Sequence, residues 1–184
     1  MAVVGEPGIG KSRLFWEFTH SHRTVGSLIL SSASVSHSKA TAYLPLADLL
    51  RDCFHIDPQD DSRRAAEKIT GKVLMLDRAL ESHLLALMAL LDVPTEDPAW
   101  VGQAAHHRRR QILEAARRLL LRESQDQPLV LIFEDLHWVD AETQSFLDGF
   151  VESIPTARVL LLVNHRPEYP TSMESKDILH AAAP

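Results

Sequence analysis

The chain has 184 residues, 45% hydrophobic and 24% charged, a length and balance that suit one folded domain, alone or with an appendage, and exclude a low-complexity or fibrous chain. The formal net charge of -6 argues against a surface built to bind nucleic acid. The one cysteine, Cys53, has no internal partner for a disulfide, so nothing points to an oxidising compartment, and its setting between Asp52 and Phe54 reads as a small buried apolar residue.

In chain order, Ala2-Val3-Val4 is a short apolar run ending in glycine, which predicts the end of a buried parallel strand. So little precedes Gly5 that the strand reads as clipped; the expectation is a fragment of a longer protein, with no signal peptide. Residues 11–22 carry Leu14, Phe15 and Phe18 at helical spacing, and residues 25–33 read as a second strand. Residues 34–43 are small and polar and predict a loop. Residues 44–54 read as a helix with Pro45 in its first turn. Two further helices are expected over 61–80 and 81–91, with Gly71 as a weak point. Pro94 and Pro98 predict a plain connection over 92–102.

Residues 106–123 read as an amphipathic helix with Ile112, Leu113, Ala116, Leu119 and Leu120 as its apolar stripe. Residues 129–133 are continuously apolar, a buried central strand that ends in Glu134-Asp135. A helix over 141–154, capped by Asp140, and a strand over 158–163 follow. That strand ends in Asn164-His165-Arg166, and from Pro167 the chain is polar and irregular. The longest apolar runs are far short of the roughly 20 residues a membrane helix needs, so no membrane partner and a cytoplasmic location are expected. Strands alternating with helices predict an α/β fold, a parallel sheet sandwiched by helices. The helices between the second and third strands, about 44–124, exceed a minimal crossover and read as a helical insertion.

The chemistry begins at Gly5-Glu6-Pro7-Gly8-Ile9-Gly10-Lys11-Ser12, a full G-x-x-x-x-G-K-S phosphate loop. Its glycines allow a tight backbone turn close to phosphate oxygens. The amides of Gly8 to Lys11 form an anion nest, and the helix starting near Lys11 adds its positive end. Lys11 would reach the β- and γ-phosphates, and Ser12 would offer its hydroxyl to Mg²⁺. ATP or ADP with Mg²⁺ is therefore the expected ligand. Glu134 and Asp135, delivered by a neighbouring strand, supply the metal-holding acid and the base that such a loop needs. By position Glu134 takes the metal and Asp135 the attacking water; strand alternation allows the reverse. Asn164 or Arg166 would contact the γ-phosphate and sense its loss. His106-His107-Arg108-Arg109-Arg110 reads first as a solvated basic helix face, with contact to phosphate or a partner as the alternative. Trp100 and Trp138 read as packing anchors, and His137 as either a partner of the acidic pair or a turn residue.

Residues 5–14, residues 133–140 and the Leu162-Val163-Asn164-His165-Arg166-Pro167 segment together resemble the AAA-type, STAND-class ATPase domain, of the origin-recognition-like AAA type. The most similar variety sits in bacterial signalling proteins, beside class III adenylate or guanylate cyclase domains and tetratricopeptide-like repeats, and in LuxR- and MalT-type activators. The resemblance covers residues 2 to about 170, with 171–184 as the start of a continuation. It implies the sheet of the ASCE division of P-loop ATPases, with the 158–163 strand between the phosphate-loop strand and the acidic strand. It also implies nucleotide contacts from Gly5 through Arg13, Arg166 near the γ-phosphate, and a nucleotide-controlled switch with slow hydrolysis. Its implied partners are the parent protein's other domains, a cyclase, helix-turn-helix or repeat region, and a second copy by self-association.

Overall fold

In a computed structural model, residues 1–34 and 41–169 are described. Most of the expected 34–43 loop and the whole 171–184 continuation lie outside them. Four strands, β1 (Ala2–Val4), β2 (Leu28–Ala33), β3 (Leu129–Glu134) and β4 (Val159–His165), form one sheet. Every pairing is parallel and the order is β1-β4-β3-β2. The last strand in sequence thus lies between the phosphate-loop strand and the acidic strand, as the resemblance implies.

Helix α1 (Lys11–Thr19) joins β1 to β2. Among the described residues, five helices stand between β2 and β3: α2 (Leu44–Phe54), α3 (Ser62–Leu76), α4 (Leu84–Leu90), α5 (Pro98–Val101) and α6 (Ala105–Asp126). Helix α7 (Ala141–Val151) leads from β3 to β4. Among the described residues no helix is long and apolar enough to cross a membrane.

Side-chain alternation sorts each strand between two layers. Leu129, Leu131, Phe133, Leu161 and Val163 face a large core with helices α2 to α4, α6 and α7. Val3, Val130, Ile132 and Leu162 face the other way and pack on Phe15 of α1. Each fully buried Leu or Phe contributes about 1.5–3 kcal/mol, so most of the apolar stabilisation lies on the first face. Among the described residues, the helix packed on the second face is α1.

The structure corrects four local expectations. Leu14 is exposed, and the side chains of α1 that pack on the sheet are Phe15 and Phe18. The helix expected over 61–80 ends at Leu76, where the Asp77 side chain accepts the Ala79 N–H and starts a 3-10 segment over Arg78–His83. The stretch 92–102 is not a plain connection. Pro98 sits in the first turn of α5, Asp97 caps it, and Trp100 is buried beneath it. Finally, Asn164 and His165 are strand residues rather than loop, because they pair in register with Val3 and Val4.

Candidate functional site

The phosphate loop leaves the sheet at Gly5, whose N–H bonds the His165 carbonyl at 3.3 Å, and enters α1 at Gly10. Gly8 and Gly10 adopt φ of 83° and 98°, left-handed values that cost other residues steric strain. Nothing lies within 4 Å of where a Cβ would stand on either, so the loop's outer side is open. The Lys11 ammonium folds back over the loop and donates to the Gly5 carbonyl at 2.7 Å and the Glu6 carbonyl at 3.0 Å. Glu6, Pro7, Gly8, Ile9 and Gly10 are exposed. Arg13 is exposed too; its guanidinium pairs with Glu17 and lies 4.9 Å from the Trp16 ring centre.

Alternation along β3 puts Glu134 on the same face as Val130 and Ile132, the face that carries α1. There Ser12 Oγ donates to Glu134 Oε2. Alternation along β4 brings Asn164 to the same face, and its Nδ2 donates to the same carboxylate oxygen at 3.0 Å. Asn164 is fully buried. Its Oδ1 accepts the Asp135 backbone N–H at 2.8 Å. One amide side chain therefore holds both acids in place.

Asp135 has φ 56° and ψ 48°, a left-handed conformation that Asp tolerates better than most residues. This turn takes its half-exposed carboxylate off the path of the strand. His137 Nδ1 lies 4.0 Å from Asp135 Oδ1, an ion pair when the imidazole is protonated. Arg166 follows β4 directly and makes no hydrogen bond or ion pair through its side chain among the described residues. The structure thus gathers Ser12, Glu134, Asp135 and Asn164 into one bonded group, and leaves Arg13 and Arg166 outside it.

Two features behind the site have no sequence signal. Asp140 Oδ1 caps α7 through the N–H groups of Glu142 and Thr143, as expected, but also accepts the Tyr43 N–H from just before α2. These partners lie 97 residues apart. Beside them Arg109 of α6 pairs with Glu142. Burial and the Glu142 carboxylate push the Tyr43 phenol up to about 12. The second feature is His165, fully buried, with Nδ1 on the Arg166 carbonyl and the Tyr169 ring edge-on at 5.7 Å.

A protein of Rhizobium meliloti (strain 1021), itself uncharacterized, is 26% identical over 172 residues. The match covers 91% of this chain and 16% of that protein, so the chain spans about a sixth of its relative's length. No solved structure matches the chain significantly. The profile of the AAA ATPase domain matches residues 1–163. Glycine-rich loop, parallel sheet, strand order and profile agree: the chain belongs to the AAA ATPase domain family, a family of nucleotide-binding domains.

Proposed function

We propose that this chain binds ATP with Mg²⁺ and hydrolyses it slowly, as the nucleotide switch of a larger bacterial signalling protein. The observation that carries the reading is the bonded group Ser12–Glu134–Asn164–Asp135 at the base of an open phosphate loop. The loop amides from Gly8 to Lys11 bind phosphate oxygens, and Lys11 exchanges its two carbonyl partners for the β- and γ-phosphates. The Ser12 hydroxyl and Glu134 carboxylate, already in contact, are hard oxygen donors suited to Mg²⁺. Bound there, the ion would offset charge on the phosphate oxygens. Asp135 orients the attacking water and accepts its proton. Asn164 keeps Glu134 and Asp135 in register, and Arg166, just past β4, reports on the γ-phosphate.

The placement in signalling rests on the resemblance to modules beside cyclase, repeat and helix-turn-helix regions, which would be its partners. The reading takes 1–170 as the ATPase domain, with helices 44–124 inserted.

One observation favours a second reading, a nucleotide-bound scaffold without appreciable turnover. The loop residues Gly8 to Gly10 stand exposed, and hydrolysis gains from exclusion of bulk water. Nucleotide affinity and phosphate release separate the readings. Lys11→Ala should lower ATP affinity by about 100-fold, the loss of a charge-assisted contact of roughly 3 kcal/mol. Glu134→Gln and Asp135→Asn should retain nucleotide and release phosphate at least about tenfold more slowly. Turnover unchanged in all three variants would refute a hydrolytic site here; tight binding with no turnover in the unaltered chain would favour the scaffold.

A further inference from the structure

Between helices α6 and α7 lies a groove of about 530 Å³ that the nucleotide chemistry does not use. Its floor is the stacked pair Phe146 and Phe150, ring centres 5.2 Å apart. Arg109, Arg110, Leu113 and Arg117 form the α6 wall. From His106 to Arg117 that wall is about 16 Å long, three turns of helix.

Two independent features suit this groove to an acidic partner. The first is charge. Three arginines line it with Glu114 and Glu152, while Glu142 beside the groove is already paired with Arg109, on a chain whose net charge is -6. Glu114 is already engaged by Arg117 at 2.6 Å and by Arg118. Burial works against its charge, but those two arginines outweigh burial and hold its carboxyl below the ordinary range. Arg110 is exposed and has no ion pair among the described residues. The second feature is Gly149. It lies inside α7, where glycine is a poor helix former, and a Cβ built on it meets nothing within 4 Å. The helix forgoes a side chain that it has room for, and the wall is left low enough for another backbone to approach closely.

We propose that the α6–α7 groove docks an acidic amphipathic helix of a partner polypeptide. One of its carboxylates meets Arg110, others share Arg109 with Glu142 and Arg117 with Glu114, and its small apolar strip lies over Leu113 and Gly149. A single small anion would leave most of a three-turn groove unused. The inference stands apart from the nucleotide reading, since no residue of the groove belongs to that site.

The probe is a fluorescein-labelled helical peptide of about four turns, with Glu on one stripe and Leu beside it, set against a peptide with Lys in place of each Glu. Fluorescence anisotropy with the full chain should show the acidic peptide binding, more weakly as salt rises, and the lysine peptide not binding. Arg110→Glu should weaken binding by about tenfold or more through charge. Gly149→Gln should do so by filling the groove, with thermal unfolding no lower than in the unaltered chain and nucleotide affinity the same. The proposal is overturned if the acidic peptide does not bind, if the lysine peptide binds equally, or if both variants bind as the unaltered chain does. Self-association abolished by Arg110→Glu would assign the groove to a second copy and overturn it as well.

Discussion

The two faces of the sheet are built for different work. One buries Leu129, Leu131, Phe133, Leu161 and Val163 beneath α2 to α4, α6 and α7. The other sets Val3, Val130, Ile132 and Leu162 against Phe15 of a single helix. The thin face also carries Ser12, Glu134 and Asn164, which alternation places beyond its last apolar residues. Stability and chemistry thus share strands but not sides. A crowded layer can hold the fold while the phosphate loop stays exposed.

Paired substitutions test that division. Leu119→Ala on the thick face and Phe15→Ala on the thin one remove side chains that are 0% and 2% exposed. Each should cost about 3 kcal/mol in urea unfolding. Only Phe15→Ala should also weaken nucleotide binding, because it unseats the helix that begins at Lys11. Equal effects on nucleotide affinity would break the comparison.

Next in size is the Lys72–Glu123 pair, 2.8 Å apart between α3 and α6, with the Glu123 side chain only 4% exposed. Lys72→Met leaves that carboxylate without its cation. Because Lys72 is partly in water, the expected cost is about 2 kcal/mol, below the usual range for a broken buried pair. Unfolding should report it while nucleotide affinity stays constant.

Asn164→Ala belongs to the thin face. It strips the Asp135 N–H and the Glu134 carboxylate of a buried partner, at about 1.5 kcal/mol of stability. Steady-state kinetics should show turnover falling more than nucleotide affinity. A uniform loss in both would reduce Asn164 to a packing residue.

The smallest expected effect is acid sensitivity at the α2–α3 junction. Hydrogen bonds from Lys68 and from the Asp57 N–H hold the Asp60 carboxyl below its ordinary value. A carboxyl lowered on folding contributes stability that is complete above its unfolded value, about 3.9, and is lost as pH falls through the folded one. Lys68→Ala should therefore flatten the decline in stability below about pH 4 and leave nucleotide affinity unchanged. An unaltered acid limb would remove Asp60 from the account.

Much of this was legible in the residues. The phosphate loop needs only near neighbours: glycines at 8 and 10 that take positive φ, then a lysine and a serine opening a helix. The continuous apolar run of β3 and the Asp140 cap of α7 are local as well. Asn164 was harder to read. Its place at a strand end suggested contact with phosphate, and its bonds to Glu134 and Asp135, which depend on β4 lying between β1 and β3, were not foreseen. The Tyr43–Asp140 bond left no trace at all, and the α6–α7 groove left only the basic run at 106–110, because each joins segments far apart in the chain.

By itself the sequence determined that a phosphate loop forms and that two acids stand at the end of a neighbouring strand. Dihedral preference and side-chain periodicity act over a few residues and need no partner. Only the tertiary structure decided which acid meets Ser12. That follows from which side of the sheet α1 covers, and from the alternation that turns Glu134 and Asn164 toward it while the left-handed turn at Asp135 takes the second carboxylate off the strand.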